Sequence, residues 1–259
     1  MINIILAGAR GRMGTAFSQR VKSTDHMQVV LGLDTVGDTT GDYPVVARLP
    51  ENTEENVEEN ADLIVCFLPS TAMAEAKSLF STSLPMVVCT TGLTPDVEEA
   101  MAAAAQKKPI FYAANMSVGV SVVANVLKKM APFLYQNGFD IEIVESHHNQ
   151  KVDAPSGTAR LLEDTLRHSI AAPLTTVYDS TQTHARREKA HIGVHSIRGG
   201  TIVGEHQVLF AGPHESIKIT HQAQSREVFV EGTIRAVDFI VNKPPGLYSM
   251  EDLIDTNLK

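Results

Sequence analysis

The sequence predicts an α/β protein: a Rossmann-like parallel sheet domain followed by an α+β domain with a mostly open mixed sheet. Ile2–Ala7 is an almost continuous apolar run, as expected of a strand buried on both faces. It passes directly into Gly8-Ala9-Arg10-Gly11-Arg12-Met13-Gly14, a glycine-rich turn ahead of a helical pattern over 15–22. Apolar strands then alternate with helical stretches as far as residue 117, the mark of βαβ units. Beyond 117 the pattern changes to one long helix and several alternating strands.

The 259 residues suffice for one large or two ordinary domains, and 43% hydrophobic with 20% charged residues is an ordinary globular balance. A net charge of −8 offers no general attraction for nucleic acid or an anionic membrane, so neither is expected as a partner. No apolar run approaches the roughly 20 residues a spanning helix needs, and the first strand begins at the second residue. Cys66 and Cys89 each sit inside an apolar run, which suggests a reducing compartment and a cytoplasmic protein.

A strand, a glycine turn and a helix in that order suit a pyrophosphate, because glycine lets the backbone approach and the helix start presents unpaired N–H groups. Gly8, Gly11 and Gly14 follow a G-x-x-G-x-x-G spacing. Taken alone, such a turn needs no ligand. The next strand, Met27–Leu33, ends at Asp34, twenty residues beyond Gly14, where a carboxylate is placed for ribose hydroxyls. Thr35 stands where an arginine would pair with a 2′-phosphate, and Asp34 would repel that phosphate. NADH is therefore expected to serve at least as well as NADPH.

Residues 37–50 read as a polar connection and 51–62 as a densely acidic, solvated helix face. Strands are predicted at 63–68, 85–89 and 109–113, with helices over 71–80 and 94–106, the latter opened by Thr94-Pro95-Asp96. Thr90-Thr91-Gly92 and Asn115-Met116 fall at the carboxyl ends of strands, where parallel sheets bind ligands. A long helix over 118–135 precedes a half-exposed strand over 139–145. A helix follows over 158–170, with Ser156 as a possible cap, and 171–190 is a polar excursion. Strands over 191–198, 201–210 and 216–221 read as an antiparallel meander whose exposed face suits an oligomer contact. The last helix is expected over 227–241.

The stretch Glu145-Ser-His-His-Asn-Gln-Lys-Val-Asp-Ala-Pro-Ser-Gly-Thr-Ala159 gathers His147, His148 and Lys151 beside a helix start at Gly157-Thr158. Unpaired N–H groups at that start seat a carboxylate or phosphate, and Lys151 adds a charge to the same anion. Either histidine can act as a general acid near neutral pH, and spacing does not choose between them. Metal is not expected, since the histidines lack i, i+4 spacing and no cysteine is near. Ser156 is not in a nucleophile elbow.

These motifs resemble the dihydrodipicolinate reductase family. The resemblance is carried by Gly8 to Gly14, Thr90-Thr-Gly92, Ala113-Ala-Asn-Met-Ser-Val-Gly119 and the whole of 145–159. His195-Ser-Ile-Arg-Gly-Gly200, Val203-Gly-Glu-His206 and Gly246-Leu-Tyr-Ser-Met250 extend it. It implies reduction of the cyclic dicarboxylate 4-hydroxy-tetrahydrodipicolinate by NAD(P)H, with loss of water, in lysine and diaminopimelate biosynthesis. It assigns His147 as proton donor, Lys151 as catalytic and substrate-binding, and His148, Gly157 and Thr158 to the substrate carboxylates. Gly8, Ala9, Arg10, Gly11, Arg12, Met13, Asp34, Cys89, Thr90, Thr91, Ala113, Ala114, Asn115 and Met116 would line the cofactor. It also implies a nucleotide domain of 1–117 with 227–259, a substrate and oligomerisation domain of 118–226, and a homotetramer. Two segments depart from the family pattern: Cys89 replaces a glycine, and Cys66-Phe67-Leu68 replaces Asp-Phe-Thr/Ser. Both bear on cofactor affinity more than on the reaction. The competing readings are another two-domain NAD(P) dehydrogenase of a small amino or keto acid, and a non-catalytic NAD(H) sensor; a sensor has no need of the His147, His148 and Lys151 set.

Overall fold

A computed structural model describes residues 1–35, 41–49, 60–178 and 185–257. Most of the acidic 51–62 stretch and parts of 37–50 and 171–190 lie outside the described residues. The chain divides into two compact units, Met1–Ser117 with Glu227–Lys259, and Val118–Arg226.

The first unit is built on a seven-stranded sheet of β1 (Ile2–Ala7), β2 (Met27–Leu33), β3 (Val45–Val46), β4 (Leu63–Cys66), β5 (Met86–Val88), β6 (Pro109–Tyr112) and β12 (Gly246–Tyr248). Its order is β12-β6-β5-β4-β1-β2-β3, every pairing is parallel, and Ile4, Ile5, Leu6 and Ala7 of β1 are fully buried. Parallel pairing sends the carboxyl ends of all strands to one edge. The order reverses beside β1, which is where ligands bind in such sheets. Helices α1 (Arg12–Val21), α2 (Ser70–Glu75), α3 (Pro95–Ala105), α6 (Glu227–Ile240) and α7 (Met250–Asn257) complete the unit.

The helix expected over 71–80 is shorter. α2 stops at Glu75, and Lys77–Ser81 forms a 3-10 turn. Buried Lys108 fastens this turn: its ammonium donates to the carbonyls of Leu79 and Thr82 and to Thr82 Oγ1.

The second unit holds a five-stranded sheet in the order β11-β10-β7-β9-β8, from β7 (Asp140–His147), β8 (Thr175–Val177), β9 (His191–Arg198), β10 (Gly204–Ala211) and β11 (Ser216–Ala223). Helices α4 (Val118–Gln136) and α5 (Gly157–Ser169) pack with it, closing a core of Leu127, Ile141, Ile143, Leu162, Leu166, Val208 and Phe210. The expected meander is corrected: β7 lies between β9 and β10, parallel to one and antiparallel to the other. Gly199-Gly200 does not close a hairpin but crosses the end of β7, where Gly199 N–H donates to the His147 carbonyl and Asn149 N–H to that of Gly200. Turn residues announce a reversal without naming the neighbour. The edge strands β3, β8 and β12, of two or three residues each, carry too little periodicity to be predicted, and the sequence reading places no helix at α7. Among the described residues, no helix is long and apolar enough to cross a membrane.

Candidate active site

In the first unit, the glycine turn is shaped by contact. Gly8 takes φ +81°, and a Cβ on Gly14 would lie 2.1 Å from the Gly8 carbonyl oxygen. α1 therefore starts hard against the end of β1, capped by Gly11 with no side-chain hydrogen bond. Its first-turn N–H groups have no cap side chain over them, as a pyrophosphate seat requires. Asp34 follows β2 directly; its Oδ2 accepts from the Arg10 N–H at 2.8 Å and its Oδ1 from the Thr35 N–H at 2.8 Å.

Cys89, Thr90 and Thr91 follow β5, and Ala113 to Met116 follow β6, on the same edge. Thr90 Oγ1 donates to the Leu68 carbonyl at 2.8 Å, and Asn115 Oδ1 accepts the Ser117 N–H at 2.9 Å. A Cβ on Gly232 of α6 would stand 1.7 Å from the Met116 oxygen, so α6 clamps this segment. The Cys89 thiol lies 3.8 Å from Thr233 Oγ1, turned into α6. Desolvation pushes that thiol above its ordinary range, and Cys66 is pushed up to about 11 by burial; both are poor nucleophiles at neutral pH.

In the second unit, β7 ends on His147, and successive side chains on a strand alternate faces. Ile141, Ile143, Glu145 and His147 consequently share the buried face. The Glu145 carboxylate, fully buried, lies 2.5 Å from His147 Nδ1 and accepts two N–H groups of Arg198 at 2.7 and 2.9 Å. The Ser156 N–H adds a contact at 3.2 Å. Burial alone would raise this carboxyl; hydrogen bonds from Arg198, Ser196 and His147 outweigh it and hold it at about 2.

Ser156 caps α5, its Oγ accepting the Ala159 N–H at 3.1 Å and lying 2.7 Å from His206 Nε2. His206 is 5% exposed and packs edge-on against the His147 ring at 5.1 Å. Burial drives His206 down to about 4, so it is neutral at physiological pH. His147 is also lowered, first by burial, with Glu145 opposing and Lys151 and Arg198 reinforcing. Lys151 reaches Asp153 Oδ1 at 2.6 Å, and its N–H closes a turn on the His148 carbonyl. Gly157 is exposed and a Cβ there would meet nothing within 4 Å, while Thr158 is half-buried.

The segment 147–158 thus brings His147, Lys151 and the α5 start onto one stretch, whereas the candidate cofactor residues lie in the other unit. Glu145, Ser196, Arg198 and His206 were present in the quoted motifs without a role. Strand periodicity carried the missing signal, because it puts Glu145 in register with Ile141, Ile143 and His147. Among the described residues, Glu145, His147 and His206 are the group with donor atoms close enough, within 4.8 Å, to hold a cation. Both Glu145 oxygens already take Arg198 donors and His206 Nε2 faces Ser156, so the cluster is a hydrogen-bonded network rather than a cation seat.

Family models place residues 2–116 with the dihydrodipicolinate reductase N-terminus and residues 119–254 with its C-terminus. A 4-hydroxy-tetrahydrodipicolinate reductase of Clostridium novyi is 41% identical over 256 residues, covering 98% of each chain. One of Caldanaerobacter subterraneus subsp. tengcongensis is 41% identical over 255 residues, covering 98% of each. Among solved structures, a dipicolinate-bound dihydrodipicolinate reductase from Paenisporosarcina sp. TG-14 shares the fold with TM-score 0.78 at 22% identity, covering 96% of this chain and 97% of its own.

Proposed function

The chain belongs to the dihydrodipicolinate reductase family, and from that premise we propose that it reduces 4-hydroxy-tetrahydrodipicolinate, with loss of water, to tetrahydrodipicolinate in the route to diaminopimelate and lysine. The observation that carries this reading is the placement of one anchored histidine, one lysine and the start of α5 on the 147–158 segment. A dicarboxylate with a reducible ring needs a proton source and two anion seats, and these supply them.

A nicotinamide dinucleotide supplies the hydride when bound. The first unit fits it: the α1 start after the Gly8–Gly14 turn carries no capping side chain over its N–H groups, as a backbone-bound pyrophosphate requires, and Asp34 stands at the end of β2 for the ribose. Thr90, Asn115 and Met116 line the same edge. Because Asp34 presents negative charge and Thr35 no compensating cation, NADH is used at least as well as NADPH.

In the second unit Lys151, His148 and the N–H groups of Gly157 and Thr158 take the substrate carboxylates. Lys151 lowers the proton affinity of His147, so a carboxylate that pairs with Lys151 relieves this and favours the imidazolium. His147 then gives its proton to the reduced ring, with neutral His206 packed beside it. No metal is needed. The protein is cytoplasmic and a homotetramer: α4 leaves Val122, Val126, Met130 and Phe133 exposed on one helical stripe, and β11 is an exposed edge strand.

The test is NADH oxidation coupled to the synthase that joins aspartate semialdehyde and pyruvate, repeated with NADPH. Turnover is expected with NADH, and His147→Gln should lower kcat by roughly 10²–10⁴. No turnover overturns the reaction; a strong NADPH preference overturns the cofactor reading alone.

A further inference from the structure

Glu145 is within hydrogen-bond reach of the histidine that the proposed mechanism uses as its acid, yet it is completely shielded from solvent. It cannot touch a substrate. What it touches is informative: Arg198 through two N–H groups, the Ser156 N–H at the α5 cap, and His147 Nδ1.

We propose that Glu145 is a positioning residue: an ionised carboxylate, pinned by Arg198 and the Ser156 N–H, that holds the proton of His147 on Nδ1 and so leaves Nε2 as the nitrogen that hands a proton to substrate. This rests on the reading of His147 as proton donor. An ionised carboxylate can only accept, so the hydrogen between it and His147 must be on Nδ1. Neutral His147 is therefore the Nδ1–H tautomer, and the imidazolium carries its second, transferable proton on Nε2. When that proton leaves, the Nδ1–H remains on His147, donated to Glu145, and solvent restores the Nε2 proton.

Two further features fit. Nε2 points toward Gly204 at the start of β10, where even a Cβ would stand 3.0 Å from it, so that side of the ring needs the missing side chain. Glu145 also binds the residue that caps α5, so one buried group fixes both the proton donor and the helix start beneath the anion seat. Arg198 closes the arrangement by donating to the Asp153 carbonyl at 2.6 Å, which ties the loop bearing Lys151 to the same hub.

The first test needs no variant. ¹⁵N NMR of the histidine rings in the wild-type protein above the titration of His147 should show His147 as the Nδ1–H tautomer; an Nε2–H tautomer overturns the proposal. In Glu145→Gln the amide can donate to Nδ1, so the tautomer should invert and kcat should fall about 10²-fold or more, with KM for NADH unchanged. Glu145→Asp keeps the charge and should recover part of the loss. In a His147→Gln background, Glu145→Gln should cost no further kcat; an added tenfold loss places its role elsewhere and overturns the proposal. If His147→Gln turns over normally, the proton-donor reading fails and takes this role with it. If His147→Gln is slow but Glu145→Gln is fast, this proposal alone fails.

Discussion

From β1 into α1 the chain turns on Gly8, Gly11 and Gly14; from β7 into α5 it passes two histidines, a lysine and an aspartate before Ser156 caps the helix. Both passages end on a helix start proposed to seat an anion, yet they are built oppositely. The first removes side chains until backbone can meet backbone, with a Gly14 Cβ excluded by 2.1 Å from the Gly8 oxygen. The second retains polar side chains and fixes them through a buried carboxylate and guanidinium. A cofactor shared by many enzymes can be held by main chain, which every residue has. A particular substrate needs charge and a proton at fixed points, and only side chains supply those.

The contrast is tested most severely by two alanines. Gly14→Ala forces backbone apart and should destabilise the first unit by about 3 kcal/mol, with NADH affinity lost alongside. Gly157→Ala meets no atom within 4 Å and should leave the denaturation midpoint within about 0.5 kcal/mol of wild type. It should still weaken dipicolinate binding by calorimetry if the α5 start seats a carboxylate. Equal thermal losses in the two variants would erase the distinction.

The same difference explains what was legible in the sequence. In β1 every buried residue is apolar, so Ile2–Ala7, the glycine spacing and Asp34 could be read directly and sit where expected. In β7 the buried face begins with Ile141 and Ile143 and continues with Glu145 and His147. A search for apolar periodicity stops at the point where the chemistry starts. His147 and Lys151 were visible as unusual neighbours, but Arg198 and His206 come from β9 and β10, and only the pairing of both with β7 brings them to Glu145. That pairing is a long-range choice which local turn signals at Gly199-Gly200 do not encode. Lys108 in the first unit makes the same point, since its acceptors lie on a turn more than twenty residues earlier.

Polar burial also predicts which half is acid-sensitive. His206 is driven from an ordinary 6.5 to about 4 by burial, facing His147 and Glu145 of β7, His221 of β11 and Lys151. Its folded-state pKa is depressed, so its contribution is complete above pH 6.5 and is lost as pH falls through about 4. The slope over that window is about 1.4 kcal/mol per pH unit for one proton, on the order of 3 kcal/mol in all. Glu145, depressed from 4.5 to about 2, adds a second loss below pH 4.5. Guanidinium midpoints should fall between pH 6.5 and 4, and His206→Asn should flatten that fall. A wild-type midpoint independent of pH in this range would show that His206 does not titrate with unfolding.

The smallest of these effects isolates a single oxygen. Ser156 Oγ serves the Ala159 N–H as a helix cap and meets His206 Nε2 at 2.7 Å. Gly11 caps α1 with neither contact, so only the second passage should depend on its cap side chain. Ser156→Ala removes a cap, about 1 kcal/mol, and leaves a buried ring nitrogen without its partner, about 1 kcal/mol more. The loss should appear in the denaturation midpoint, with NADH affinity intact because the proposed cofactor residues belong to the other unit. If Glu145 still holds the Ser156 N–H, α5 keeps its register and dipicolinate affinity should fall only a few-fold. A midpoint shift below about 0.5 kcal/mol would mean that the carboxylate alone anchors the helix start, and that the serine hydroxyl is dispensable to it.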